Sequence, residues 1–257
     1  MFPGLIARPL RALMLLVLLA AVGAGLWFWH QARSSTPANQ DTAVREFRAA
    51  GGEAGRARPG VPAPGVYTFR QSGSERGGIG PVHLSRDLPG TALYVVTPAS
   101  GGFREQLDLS EEHIEGVRLR VDGAGTHEIS RRTKVTFLGV GQDDRRTLHP
   151  SVLRFPRRLA VGRTWTERYA AGTIPVTSRS TVLRADAVEV EGHRVPAVVV
   201  ATVADTGGTH PGRRTDTIWW SPARSLPLRW VIDMRVTGVA SLRTHADLTL
   251  ESLTPRV

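Results

Sequence analysis

The chain has 257 residues, 33 lysine or arginine against 23 aspartate or glutamate side chains, and a formal charge of +10, which leaves room for one large domain or two small ones. Hydrophobic residues at 41% and charged residues at 22% are globular values and exclude wholesale disorder. No cysteine is present, which excludes a disulfide framework, a thiolate metal site, a cysteine nucleophile and a lipid-modified N-terminal cysteine.

The first element in chain order is residues 12–29, an 18-residue run without a charge, with Arg8 and Arg11 before it and His30 and Arg33 after it. As a helix it would be about 27 Å long, at the short end of what crosses a bilayer. Trp27, Phe28 and Trp29 suit the interfacial belt, where amphipathic rings sit at headgroup depth. Arg8 and Arg11 bias the N-terminus to the cytoplasm. The reading is a cytoplasmic tail at 1–11, a transmembrane signal-anchor at 12–30 and an extracytoplasmic remainder. The competing reading is a signal peptide cleaved after Ala24, because Val22-Gly23-Ala24 offers the small residues that cleavage needs. Both put the rest of the chain outside the cytoplasm, which argues against a cytoplasmic enzyme or a transcription factor.

Residues 31–64 are rich in Ala, Gly, Arg, Ser and Pro and end in Arg58-Pro59-Gly60-Val61-Pro62-Ala63-Pro64. Proline at that density fixes φ and removes helix donors, so the stretch is expected to be a flexible stalk. Within it, residues 41–50 suit a short helix, with Asp41 or Thr42 as cap and Val44 and Phe47 on one side.

From Val66 onward the hydrophobic period changes to two, and glycine-containing turns interrupt it. Strands are expected over 66–72, 92–97, 103–109, 113–121, 126–138, 164–170, 176–190, 194–206, 214–220, 228–236 and 239–253. Leu228, Trp230, Ile232 and Met234 share a parity opposite to Arg229, Asp233 and Arg235, the alternation of an antiparallel sheet with one wet face. Short turns such as Gly101-Gly102, Asp122-Gly123 and Gly207-Gly208 make it a meander. No ten-residue amphipathic helical pattern follows residue 65, which argues against parallel βαβ topology. One strand breaks the rule: between Val195 and Ala204 both parities are apolar, with Val195, Ala197, Val199, Ala201 and Val203 on one and Val198, Val200 and Ala204 on the other. Both its faces must be covered, by a second layer, by the sheet curling over itself, by the linker helix or by a ligand.

Catalytic chemistry leaves no comparable signature. The histidines (His30, His83, His113, His127, His149, His193, His210 and His245) show no H-x-H or H-x-x-x-H spacing for a metal, and His113 after Glu111-Glu112 reads as a solvated turn ahead of a strand. No serine lies in G-x-S-x-G, and Gly139-Val140-Gly141 precedes the polar turn Gln142-Asp143-Asp144-Arg145-Arg146 rather than a helix, so no cofactor is implied.

Trp165, Trp219, Trp220 and Trp230 carry much of the domain's aromatic surface. Adjacent on a strand, Trp219 and Trp220 point to opposite faces, so one can serve the core while the other lines a groove. Trp219, Trp220, Trp230, Val198 and Val200 are therefore the candidate ligand-binding residues for an apolar or amphiphilic molecule, with packing of the core as the plainer reading. The doublets Arg131-Arg132, Arg145-Arg146, Arg157-Arg158 and Arg213-Arg214 could grip anionic headgroups or wall polymers, or simply solvate turns and strand edges. Lys134 is the only lysine, which points to a GC-rich genome before it points to a polyanion, and the doublets lack the interleaved aromatics of a nucleic-acid groove.

Several short stretches carry a resemblance. They are Pro64-Gly65-Val66-Tyr67-Thr68-Phe69, then Phe155-Pro156-Arg157-Arg158-Leu159-Ala160-Val161-Gly162-Arg163-Thr164-Trp165, then Trp219-Trp220-Ser221-Pro222, and the ending Leu248-Thr249-Leu250-Glu251-Ser252-Leu253-Thr254-Pro255-Arg256. Together they resemble a group of uncharacterised, membrane-anchored envelope proteins of actinobacteria. More remotely, Val195-Pro196-Ala197, Trp220-Ser221-Pro222 and Leu226-Pro227-Leu228 look like bacterial domains similar in shape to the lipoprotein-carrier half-barrels. The expectation is a mainly β protein: one N-terminal transmembrane helix and, over 65–257, a twisted antiparallel meander sheet forming a half-barrel. Its expected role is non-enzymatic, as an interaction or scaffolding domain of the envelope or as a binder of an apolar or amphiphilic envelope molecule. An envelope hydrolase built from scattered His and Asp is the alternative. The expected partners are the membrane, through the N-terminal helix, and an envelope lipid or a membrane protein, with no nucleic acid.

Overall fold

A computed structural model describes residues 34–79, 82–137, 140–208, 211–237 and 240–257. The tail at 1–11, the transmembrane helix expected over 12–30 and the alternative cleavage after Ala24 lie outside them. The described chain holds one helix, α1 (Gln40–Ala49), and the strands β1 (Gly65–Ile79), β2 (Val82–Asp87), β3 (Thr91–Ala99), β4 (Gly102–Ser110), β5 (His113–Val121) and β6 (Gly125–Phe137). These are followed by β7 (Val140–Pro156), β8 (Thr164–Ala171), β9 (Ile174–Val190), β10 (His193–Thr206), β11 (Gly212–Ser221), β12 (Leu226–Val236) and β13 (Ala240–Leu250).

Each strand from β3 to β13 pairs antiparallel with its sequence neighbour, as a meander does. The sheet does not stop at a half-barrel. β13 returns to β1 in continuous antiparallel register from Phe69↔Leu250 to Ile79↔Ala240, closing a 12-strand barrel. Alternation along a strand is the same in an open and a closed sheet, so only the two long matching edges distinguish them. Closure removes the exposed edges that would otherwise template aggregation. β2 stands outside the count because it shares one edge of β1 with β3: β3 takes residues 65–70 and β2 takes residues 74–79.

The doubly apolar strand is β10. Val200 and Val198 lie opposite Ile218 and Trp220 on the lumen side, while Val199 faces outward opposite Trp219. A bulge against β9 leaves Leu183 unpaired and exposed, because Val199 pairs with Arg184 and Val200 with Val182. The curl of the sheet over itself supplies the cover for the inner face.

The segment from residue 34 to 64, expected as a free stalk, instead lies along the barrel. Ser35 N donates to Asp87 O (3.2 Å) on β2, and Glu111 N at the β4–β5 turn donates to Thr36 O (3.0 Å). These bonds fill the gap left where β2 has no further strand beside it. α1 starts at an Asn39 cap whose side chain accepts from Thr42 N at 2.9 Å. It buries Ala43 and Phe47 against the outward-facing Val66, Leu93 and Val95. Gly51, at φ 77°, ends the helix, and Gly52 follows it where a Cβ would sit 2.4 Å from the Phe47 ring. The proline-rich turn then caps one barrel end: Arg58 and Val61 exchange backbone bonds of 2.9 and 2.8 Å, and Gly60 N donates to Ser225 Oγ at 2.9 Å.

The lumen is divided by chemistry. At the end carrying the β3–β4, β5–β6 and β11–β12 turns it is apolar, filled by Tyr67, Phe69, Phe103, Leu119, Phe155, Trp220, Leu228 and Leu250. Toward the β1–β2, β6–β7, β10–β11 and β12–β13 hairpins the same inward parity carries charged residues.

Candidate functional site

On β5 the inward parity that places Val117 and Leu119 in the lumen also places Glu115 and His113 there, and on β11 the parity of Ile218 and Trp220 brings in Asp216 and Arg214. On β1 it brings in Glu75 beyond Tyr67 and Phe69. These side chains meet across the lumen. Arg86 on β2 holds Glu75 with Nη2–Oε2 at 2.6 Å and Nε–Oε2 at 2.9 Å. The other Glu75 oxygen meets Nδ1 of His113 and accepts from Thr244 Oγ1 on β13 at 3.2 Å. His113 Nε2 lies 3.4 Å from Glu115 Oε1. Arg214 Nη1 reaches both Glu115 oxygens at 2.6 and 2.8 Å while its Nε and Nη2 grip Asp216 at 2.8 and 3.0 Å. Trp230 Nε1 on β12 donates to Asp216 Oδ1 at 2.8 Å and closes the chain.

Three cations (Arg86, His113, Arg214) thus face three anions (Glu75, Glu115, Asp216), so the buried set is neutral when His113 is protonated. The electrostatics favour that state. Burial by itself would lower the His113 pKa, but bonds and charge from Glu115 and Glu75 outweigh it and raise the value to about 9. Burial would raise Glu75, yet His113 and Arg86 bring it down to about 2. Glu115 is held well below the ordinary carboxylate range by Arg214 and His113 against the cost of its burial. A second pair bridges the polar and apolar halves: Tyr94 Oη donates to Glu105 Oε2 at 2.6 Å, and Arg154 pairs with the same carboxylate under the Trp230 ring.

His113 is completely buried, with both ring nitrogens against carboxylates, so the turn expected to be solvated is the centre of an internal ionic lock. The arrangement ties β1, β2, β5 and β11 together across the lumen and leaves the ring no surface for a substrate. Among the described residues no group of His, Asp and Glu has the geometry to hold a metal ion.

The tryptophans divide as their adjacency requires. Trp220 is 6% exposed and stacks on Phe155 across the lumen, with ring centroids 4.3 Å apart. Trp230 and Val200 are buried beside it and Val198 is half-buried, so four of the five candidate binding residues gather on the inner side. Trp219 does not join them. It lies on the outer wall, donates from Nε1 to Asp186 at 2.9 Å, and has the guanidinium of Arg229 4.7 Å from its ring centre. The inner four are packed against the domain's own side chains rather than lining an open cleft.

Three of the arginine doublets split in the same way, one member in and one out. Arg131, Arg146 and Arg214 turn inward to Glu128, Asp144 and Asp216, while Arg132, Arg145 and Arg213 face solvent. On the outer wall a shallow groove of about 360 Å³ runs over β9 to β11, lined by Arg179, Leu183, Ala201, Val203, Asp205 and Arg213.

Fold and site together define a closed antiparallel barrel with an apolar plug at one end and a charge-neutral ionic lock in the other. Comparison with protein-family models, with curated proteins and with solved structures gave no match.

Proposed function

We propose that this is a non-enzymatic, membrane-anchored domain of the cell envelope that acts as an interaction or scaffolding unit through its outer wall, the barrel interior serving as its core. The observation that carries the reading is the filled lumen. Val200, Trp220 and Trp230 are 1%, 6% and 5% exposed, and the polar end is occupied by matched charges. A carrier of an apolar molecule needs an open apolar face, and a hydrolase needs an accessible base. The outward rows favour a domain standing in water: Arg229, Asp233, Arg235, Arg243, His245 and Asp247 occupy positions where a membrane-spanning barrel carries apolar residues. Anchoring and extracytoplasmic placement rest on the uncharged run at 12–29 and the arginines before it.

The test uses the full chain in its own membrane. A C-terminal reporter enzyme that matures only outside the cytoplasm is expected to be active and to sediment with membranes. A photo-crosslinking residue at Leu183, in the outer groove, is expected to trap one discrete envelope protein, and native mass spectrometry of the detergent-extracted chain to show no stoichiometric amphiphile. One bound amphiphile per chain, lost in Trp220→Ala while the fold persists, would overturn the filled-core reading in favour of a binder. A reporter active only in the cytoplasm would overturn the placement.

A further inference from the structure

The outer wall carries a row of arginines that the ionic lock does not use. Arg213 on β11 lies directly opposite Arg235 on β12, Arg235 opposite Arg243 on β13, and Arg243 opposite Arg76 on β1. Directly paired residues point to the same face, so four guanidinium groups stand side by side across four adjacent strands, a row about 14 Å long at the usual strand spacing. All four residues are exposed. Like charges placed opposite one another weaken a sheet, and here little relieves them. Arg213 has Asp205 at 3.8 Å, with both side chains more than half exposed. Among the described residues, Arg76, Arg235 and Arg243 have no carboxylate within ion-pair distance. The acid one row further along, Asp233, is engaged by His245 at 2.7 Å.

The position of the row indicates its counter-charge. Ser34 runs parallel to β2 and bridges to Asp87. Asp87 pairs with Ser74, two residues from Arg76 on the same outer face. The β2 strand that Ser34 parallels begins at the β1–β2 hairpin, the end at which Arg76, Arg243, Arg235 and Arg213 lie. Only residues 30–33 separate the uncharged run at 12–29 from Ser34, and that tether reaches about 17 Å at full extension.

We propose that the Arg213–Arg235–Arg243–Arg76 row is a docking face for the anionic lipid headgroups of the membrane that holds the protein's own N-terminal segment, so that the barrel lies against the bilayer instead of standing off it. This rests on the membrane-anchored reading given above. The short tether keeps the row within reach of the surface, where a headgroup's negative charge offsets the repulsion within the row. Free polyanions of the envelope would meet the same guanidinium groups but have no tether to hold them there. The attraction is long-range charge pairing, about fivefold in the docked-to-undocked ratio per basic residue at a strongly anionic surface, and it fades beyond a Debye length of about 8 Å at physiological salt.

The absence of cysteine allows a single reporter position, Ser74→Cys, exposed on the same face as Arg76. The full chain carrying a fluorophore there is reconstituted into vesicles of zwitterionic lipid with or without phosphatidylglycerol, each doped with a headgroup-linked quencher. Quenching is expected to rise with phosphatidylglycerol and to fall at high salt. In the triple variant Arg76→Ser, Arg235→Ser, Arg243→Ser the docked-to-undocked ratio should drop by about two orders of magnitude. The corresponding triple lysine variant should keep most of the quenching, since charge rather than fork geometry is required, and a circular-dichroism melt shows whether each variant is folded. Quenching that ignores phosphatidylglycerol, or is equal in the folded serine variant, overturns the proposal. So does a response to long-chain inorganic polyphosphate in place of phosphatidylglycerol, which would assign the row to a soluble polyanion. Flotation separates the two levels: a chain that leaves the vesicles at high salt contradicts the anchor itself, whereas one that floats without quenching contradicts only the docking.

Discussion

His113 links the folding of this barrel to pH. A histidine in the unfolded chain titrates near 6.5, and in the barrel the value is about 9. Below pH 6.5 both states hold the proton and the stabilisation is complete. Between 6.5 and 9 the unfolded chain releases its proton while the barrel keeps it, so stability falls, by about 3 kcal/mol over the window. Glu75 sets the opposite limb: its value of about 2 in the fold, against 4.5 outside it, contributes stability above pH 4.5 that is lost as pH falls toward 2. Asp108, whose burial raises its carboxyl to about 6, lowers stability as pH rises from 3.8 to 6. Thermal unfolding is therefore expected to show a Tm that declines from pH 6.5 toward pH 9. His113→Gln should lie lower throughout, because Glu75 and Glu115 lose their shared cation, and should be flat between 6.5 and 9. A wild-type Tm that does not change across that interval would contradict the protonated lock. This site was written in the sequence as parity: Glu115 and His113 continue the inward phase of Leu119 and Val117, Glu75 that of Tyr67 and Phe69, Asp216 and Arg214 that of Trp220 and Ile218. Polar residues in the apolar phase of several strands are the signal of a charged lumen. What no single strand reveals is that the three phases converge, because Glu115 and Arg214 are 99 positions apart and meet only once the sheet has closed.

At the scale of elements, the barrel wall is uneven. β9 and β10 pair from His193↔Val190 to Thr206↔Val176, whereas β7 and β8 pair only at Leu148↔Ala171 and His149↔Ala170. Pro150 follows at once and has no N–H to offer. Beyond it the wall is bridged by a side chain, Trp165 Nε1 donating to Leu153 O at 2.9 Å. Most backbone groups along this seam have no ladder partner across it, and local opening should start there. Hydrogen exchange is expected to be about tenfold or more faster for the β8 amides that point toward β7 than for amides between β9 and β10, and faster still in Trp165→Phe. Equal protection at the two places would show the seam to be as closed as the rest of the wall. The alternating strands β5, β11, β12 and β13 were legible in the sequence because one parity is apolar and the other charged. β2 and β7 were not. Gln142 to Arg146 has no apolar parity, since at that end the lumen is as polar as the outside, and Asp144 pairs with Arg146 inside while Asp143 pairs with Arg132 outside. A strand between two polar environments looks like a turn.

For the whole molecule, the question is where the folded unit begins. Composition put the boundary at residue 65, with everything before it a stalk, because prolines and glycines deny regular structure to residues 51–64. Irregular backbone can still be bound backbone. Residues 34–36 complete the wall beside β2, Phe47 is 2% exposed on the outer face of β1 and β3, and the turn at 58–61 closes the apolar end against Ser225. The outward Val66, Leu93 and Val95 would otherwise be an uncovered apolar patch on the outer wall. A chain beginning at residue 34 is therefore expected to fold as a cooperative monomer. One beginning at residue 65 should lose the equivalent of a buried phenylalanine, about 3 kcal/mol or more, together with the wall bonds, and should self-associate through the uncovered patch. Phe47→Ala in the longer chain isolates the helix contribution and should recover part of the same loss. Matching denaturation midpoints for the two chains, with both monomeric, would return residues 34–64 to the role of a free tether and would also remove the short reach that brings the arginine row to the membrane.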